Sequence, residues 1–264
     1  MQEHSIPSVQ TTSKLSVVMP CYNEEAIIGF TIPAFVKAFE NAGYRLELIT
    51  VDNGSTDRTT EILKKFSELY PSVVYHRVEV NQGYGYGILD GSRIATGDWF
   101  SMIPADGQVD PEDVVKLFEA VLSSDGKVLG KVRRRFRMDG IVRKVISILF
   151  NLFMRVLWPS MESVDVNGTP KMMRTELFRA MDLKSKDWLL DVEMMIKAHY
   201  LGIHIMELNV FARMRGNGLS HIKASTCWEF IKYILKFRFS SEMNHWKKYE
   251  LSDLINAPGG KNTG

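Results

Sequence analysis

The residues of this chain best suited to chemistry fall into four polar clusters, each directly behind a short apolar run. Asp106 and Gln108 flank Gly107 behind Trp99 to Ile103. Two oxygen ligands so close together suit a hard cation such as Mg²⁺ or Mn²⁺ bridging phosphate oxygens, although Asp106 and Asp110 also suit the start of the helix that follows. Asp52, Asn53, Gly54, Ser55 and Asp57 stand behind Leu46 to Val51. They are favoured turn and cap residues, and an acidic residue at a strand's carboxyl end equally suits ribose hydroxyls or a base edge. Gly83, Gly85 and Gly87 follow Val73 to Val78, where glycine gives either a flexible turn or a close backbone approach to a ligand. The first cluster, Pro20-Cys21-Tyr22-Asn23-Glu24-Glu25, follows Leu15 to Met19.

Two further groups lie in the second half. Lys131 to Arg137 is a basic run, either a solvated charge stretch or a phosphate clamp, since arginine's planar fork matches phosphate oxygens. Asp191 and Glu193 open a helix, where carboxylates are favoured by the dipole alone and where one of them could act as a base. Neither a G-x-G-x-x-G turn behind the first strand nor a G-x-x-x-x-G-K-[ST] loop is present, which excludes the usual dinucleotide and nucleoside-triphosphate signatures.

The elements that must position these clusters follow from alternation of β-branched runs with amphipathic stretches. Strands are expected over Leu15 to Met19, Leu46 to Val51, Val73 to Val78 and Trp99 to Ile103. Helices are expected over Glu24 to Asn41, Asp57 to Tyr70, Tyr84 to Ala95, and Pro111 to Leu122 with Asp110 as cap. Right-handed crossovers make this an α/β domain with a mainly parallel sheet covered by helices on both faces, and ligands bind at the carboxyl edge of such sheets. All four clusters fall on that edge.

Farther on, a helix over Leu190 to Leu201 and a strand over Ile203 to Phe211 are expected. Ile141 to Trp158 is apolar apart from a stripe of Arg143, Ser147, Asn151 and Arg155, which suits a buried helix, a dimer helix or one lying in lipid. Trp228 to Tyr249 mixes aromatic residues with Lys232, Lys236 and Arg238, as amphipathic helices at a bilayer interface do. The expected organisation is a loose tail over 1–13, a catalytic domain over 14–225, amphipathic membrane-interface helices over 226–256 and a second tail over 257–264.

The 264 residues, 45% hydrophobic and 24% charged, suffice for one large core, and a net charge of +2 leaves phosphate attraction to local clusters. No nucleic-acid partner is expected. No apolar run reaches the roughly 18 to 20 residues of a membrane span. With Cys21 and Cys227 far apart and no secretory signal, a reducing, cytoplasmic setting is expected.

Val18 to Glu25, Val51 to Asp57 and Ala105 to Gln108, in that order, resemble the family 2 inverting glycosyltransferases of GT-A fold. The match continues through Arg133 to Arg137, Asp165 to Lys171, Trp188 to Glu193 and Arg215 to Ser220, and it looks like the dolichyl-phosphate mannose synthase branch and its polyprenyl-phosphate relatives. The resemblance implies that Pro20, Tyr22, Asn23, Glu24, Asp52, Asn53, Gly54, Gly83 and Arg215 hold a GDP- or UDP-sugar. It implies that Asp106 and Gln108 carry the metal and diphosphate, that Arg133 and Arg135 face phosphate, and that Asp191 is the candidate base. Pro104 occupies the first acidic position of the family's Asp-x-Asp, so one anionic metal ligand is missing.

The expected reaction is transfer of a sugar to a polyprenyl phosphate at an anionic membrane surface, by a peripheral protein on the cytoplasmic face, with Mg²⁺ or Mn²⁺ and an oligomer possible. Transfer to a saccharide hydroxyl with Asp191 as base, and nucleotide-sugar binding without turnover, are the competing readings.

Overall fold

The computed structural model describes residues 12–124, 126–136, 141–159, 161, 165–211 and 224–247. In chain order the elements run β1 (Lys14–Cys21), α1 (Glu25–Ala42), β2 (Arg45–Asp52), α2 (Thr59–Leu69), β3 (Val73–Arg77), α3 (Tyr84–Ser92), β4 (Trp99–Met102) and α4 (Pro111–Leu122). There follow β5 (Val128–Phe136), α5 (Ile141–Leu157), β6 (Lys171–Arg174), α6 (Thr175–Ala180), α7 (Leu189–Tyr200), β7 (His204–Phe211), α8 (Ala224–Arg238) and α9 (Ser241–His245).

One seven-stranded sheet has the order β3-β2-β1-β4-β6-β5-β7. β1 pairs in parallel with β2 and β4, and β2 with β3, so these strands end on one edge. β6 alone runs backwards, antiparallel to both β4 and β5, while β5 and β7 pair in parallel. The fully buried runs of β1 and β2 reflect burial on both sheet faces.

Two apolar layers cover those faces. Phe35 and Phe39 of α1, Leu63 of α2 and Phe118 of α4 pack on one. The other is packed by Ile88 of α3, Met154 of α5, Phe178 of α6, Met194 and Met195 of α7, and Ile234 of α8. The α/β architecture expected from the alternating pattern is therefore present, and α4 begins at Pro111 as its fixed φ favours, though Asp110 makes no side-chain capping hydrogen bond.

The second half departs from expectation. The basic run is part of β5, and two short elements, β6 and α6, appear where no periodic signal stood. Gly130 explains part of this: a Cβ there would lie 2.4 Å from Val121 Cγ1, so the strand passes close under α4. α5 buries Met154 but leaves Ile148, Leu149, Leu152 and Val156 exposed. α8 buries Ile234 and exposes Tyr233 and Leu235, with Phe239 just beyond it also exposed. Among the described residues no helix is long and apolar enough to cross a membrane.

Candidate active site

The four strand ends open into a cleft of about 460 Å³. Pro20, Cys21, Tyr22, Asn23 and Glu24 line it from behind β1, and Asn53 from behind β2. Asn81, Gly83 and Tyr84 contribute from behind β3, Pro104, Ala105 and Asp106 from behind β4, and Trp188 from the start of α7. Of the residues expected at the nucleotide sugar, Pro20, Tyr22, Asn23, Glu24, Asn53, Gly83 and Asp106 thus share one cavity.

The first two turns are stapled together by side chains acting as backbone partners. The Asn23 and Glu24 amides donate to Ser55 Oγ (3.2 Å) and Thr59 Oγ1 (2.9 Å), and the Glu25 amide donates to Asp57 Oδ2 (3.2 Å). In return Asn23 Oδ1 accepts from the Thr56 amide (2.8 Å) and Glu25 Oε2 from the Arg58 amide (3.1 Å). These bonds give the backbone groups of both turns partners where the helix and sheet ladders end. They also hold Asn23 at φ 54°, in the left-handed region that asparagine tolerates. Burial would raise the Asp57 carboxyl, but hydrogen bonds from Thr59, including its amide, and from the Glu25 amide outweigh it and hold Asp57 below its usual range.

Asp52 and Gly54 lie behind the residues that line the cleft. Asp52 is fully buried, and its carboxylate accepts from the Ser55 amide (2.9 Å), Thr60 Oγ1 and Arg77 (2.7 Å). With those partners it organises the turn from behind the cleft wall. Gly54 has φ +76°, and a Cβ there would lie 3.0 Å from the Asn81 amide nitrogen, so its role is backbone packing. The adjacent Asn53 lines the cleft. Its Nδ2 donates to the Gly83 carbonyl (3.0 Å) and Asn81 Oδ1 (3.3 Å), which fixes the amide's orientation. Its Oδ1 is buried without a hydrogen-bond partner among the described residues, an acceptor that a ligand N–H or O–H could satisfy.

At β4 the site is sparse in anions. Asp106 is half-buried in the lining and accepts the Gln108 amide at 3.1 Å, while Gln108 itself is buried and does not line the cleft. Gln108 thus stands behind Asp106, with its backbone amide bonded to that carboxylate. Among the described residues no group of three or more His, Cys, Asp or Glu side chains converges to hold a metal. A donor set with so little protein charge fits Mg²⁺ or Mn²⁺ bound through one or two carboxylates, waters and substrate phosphates. Burial, with Glu24 and Asp52 nearby, pushes the Cys21 thiol far above its ordinary value, so Cys21 lines the cleft as an inert thiol.

The glycines behind β3 serve chain-to-chain approach. A Cβ on Gly83 would lie 2.4 Å from the Lys186 carbonyl oxygen, and one on Gly85 2.6 Å from that of Ser185. The segment 184–188 packs directly on them, with the Tyr86 amide donating to the Lys186 carbonyl (2.8 Å). Glu193 of α7, 1% exposed, latches that segment: it accepts the Lys184 and Ser185 amides (3.1 and 2.8 Å) and pairs with Lys197 at 2.9 Å. Sequence reasoning saw the glycines but not their partner, because the contact joins positions about a hundred residues apart.

Asp191 is buried at the first turn of α7, and its carboxylate is bonded to the ammonium of fully buried Lys171. The Asp191 side chain is thus engaged by a buried partner within the fold. Lys131, opposite Lys171 in the β5–β6 pairing, donates to the Asp165 carbonyl and pairs with Glu207 at 3.2 Å. Burial and the Lys171 ammonium push Lys131 down to about 8. Arg133 is half-buried on β5 opposite Asn209, outside the cleft lining. The Arg135 side chain and Arg215 lie outside the described residues.

Against known proteins, the profile described as Glycosyl transferase family 2 matches residues 16–181. A dolichol-phosphate mannosyltransferase from Pyrococcus furiosus is 27% identical over 250 residues, covering 91% of this chain and 68% of that protein. An undecaprenyl-phosphate 4-deoxy-4-formamido-L-arabinose transferase from Pectobacterium atrosepticum is 34% identical over 149 residues, covering 56% of this chain and 45% of that one. The chain thus spans about two thirds of the first relative's length and under half of the second's. A glucosyl-3-phosphoglycerate synthase from Mycobacterium tuberculosis, solved with Mn²⁺, uridine diphosphate and phosphoglyceric acid, superposes with TM-score 0.68 at 21% identity, over 86% of this chain and 79% of that one. At that identity the likeness establishes the shared GT-A fold.

Proposed function

The chain belongs to glycosyl transferase family 2, and from that premise we propose that it moves a sugar from a GDP- or UDP-sugar to a polyprenyl phosphate at a membrane surface. The observation that carries the acceptor assignment is the buried Lys171–Asp191 pair. A sugar hydroxyl must lose a proton as it attacks, whereas a phosphate monoester is already largely ionised near neutral pH and needs no base. The carboxylate best placed in sequence to be that base is already committed to a lysine. The relatives named above, a dolichol-phosphate and an undecaprenyl-phosphate sugar transferase, support the same acceptor.

In this reading Tyr22, Asn23, Glu24 and Asn53 hold the nucleoside within the stapled turns. Asp106 would hold a divalent cation together with the donor's diphosphate, and that cation supplies electrostatic stabilisation of the departing charge. The acceptor's phosphate oxygen attacks the anomeric carbon, the bond to the nucleoside diphosphate breaks, and configuration inverts. Arg133 orients the acceptor phosphate, with Arg135 and Arg215 as further phosphate partners. Arginine serves here because its charge persists at every working pH.

The exposed faces of α5 and α8 give this protein its membrane contact, on the cytoplasmic side. Ile148, Leu152 and Val156 offer apolar area, while exposed Lys232 and Lys236 beside Tyr233 suit anionic head groups.

The test is a panel of GDP- and UDP-sugars screened for thermal stabilisation with and without Mg²⁺, followed by transfer to a short-chain polyprenyl phosphate. Asp106→Ala should lower turnover at least ~1,000-fold with the circular dichroism unchanged. Full turnover in excess chelator overturns the cation, and transfer to a saccharide hydroxyl but not to the lipid phosphate overturns the acceptor.

A further inference from the structure

One part of the cleft is left unused by the reading above. Trp188 caps α7 with 55% of its surface exposed, lines the cleft, and stacks on Tyr84 with ring centroids 4.5 Å apart and planes 10° from parallel. A large aromatic face left this open needs a reason, because tryptophan normally buries most of its area. Its placement is also heavily determined. The Leu189 amide donates to Asp187 Oδ1 (2.7 Å) directly after it, Glu193 latches Lys184 and Ser185 before it, and Gly83 and Gly85 admit the intervening backbone. A rigid aromatic held at a cavity wall by a buried carboxylate is a preorganised contact surface.

We infer that the Trp188 face, backed by Tyr84, is the platform for the donor's sugar ring and a determinant of which sugar is accepted. This rests on the transferase reading. The polar wall of Tyr22 to Glu24 and Asn53 suits the nucleoside, and Asp106 suits the diphosphate, so the aromatic wall is what remains for the hexose. One face of a pyranose carries mainly C–H bonds, slightly positive at hydrogen, and the face of an indole is negative, so the two attract while the sugar's hydroxyls stay directed elsewhere. Sugars whose axial hydroxyl interrupts that C–H face should fit less well, which makes the contact selective.

The experiment measures dissociation constants by calorimetry for UDP-glucose, GDP-mannose, UDP and GDP, with wild type and with Trp188→Ala, Trp188→Leu and Trp188→Phe. Wild type should bind a sugar nucleotide. Trp188→Ala and Trp188→Leu should weaken it about 5- to 10-fold, while the matching free diphosphate changes less than about twofold and Trp188→Phe recovers most of the loss. Equal weakening of sugar nucleotide and free diphosphate overturns the platform in favour of a nucleoside contact. No weakening of either, with wild type binding normally, overturns it too, as does full recovery in Trp188→Leu, which would assign the effect to apolar bulk alone. If wild type binds no sugar nucleotide, the transferase reading itself fails, an outcome that no Trp188 variant can produce.

Discussion

The region from β1 to α4 and the region from β5 to α9 solve the placement of polar residues in opposite ways. In the first, carboxylates and amides serve turns: Asn23, Asp52 and Asp57 all bond to nearby backbone, and their clusters sit directly behind strands. In the second, charges are driven into the core and paired there, Lys171 with Asp191 and Lys131 with Glu207 between separate elements, and Lys197 with Glu193 one turn back along α7. The turn residues themselves stand directly behind their strands in the sequence, although several of their partners lie on the neighbouring turn. Buried charge pairing is a property of the assembled fold, and each such pair costs desolvation that only good geometry repays.

If that contrast is right, the largest stability loss should come from the second region. Asp191→Asn leaves the Lys171 ammonium buried without its anion, a change worth about 3–5 kcal/mol, and should lower Tm by roughly 10 °C in differential scanning calorimetry. Turnover with a polyprenyl phosphate should fall by less than ~10-fold at a temperature where the variant stays folded. A ~1,000-fold loss of kcat with Tm unchanged would make Asp191 a base and erase the contrast.

A middle-sized effect concerns the surface of the same region. Vesicles containing anionic lipid should bind the protein at low salt, and the double variant Lys232→Glu with Lys236→Glu should weaken co-sedimentation by ~10-fold or more, since each basic residue near such a surface contributes about 1 kcal/mol. Raising salt should weaken the wild type in the same direction. Binding that ignores both changes would leave only the apolar face of α5 as the anchor.

The smallest effect belongs to the first region. Glu47 accepts from Lys14, Ser16 and Thr96, which together outweigh the upward push of burial and hold its carboxyl at about 2, against an ordinary 4.5. Because the folded value is the lower one, its contribution is present above pH 4.5 and is lost as pH falls from there towards 2. Glu47→Gln should therefore lower Tm by a few degrees at pH 7, with the gap to wild type narrowing as pH falls below 4.5 and closing only near pH 2.

Legibility follows the same division. Strands β1 to β4 and helices α1 to α4 are readable because their periodicity is uninterrupted and turn residues punctuate them. β5 reads as a charge run because its lysine and arginines hide the alternation of a strand, and β6 escapes notice because its four residues, two of them charged, give no periodic signal. Within the site, Asn23, Asn53 and Asp106 are visible from position alone. Asp52 is readable as a polar residue at a strand end, but its partners Arg77 and Thr60 are not, since only the assembled fold brings them together. Glu193 stands in a motif stretch, yet its task depends on Lys184 and Ser185 folding back over α7, which no local pattern announces.

The contact between Gly83, Gly85 and the backbone of 184–187 also sets what can be exchanged between related proteins. A segment carrying a different residue in place of Trp188 cannot be transplanted alone, because its backbone carbonyls need two positions without a Cβ on α3 and its amides need the carboxylate of Glu193. The unit of exchange is three separated stretches of sequence, and a chimera that moves only one of them inherits a loop with nowhere to lie. Anyone retargeting this cleft to another sugar would do best to treat Gly83, Gly85 and Glu193 as fixed hardware and vary only the side chain that they present.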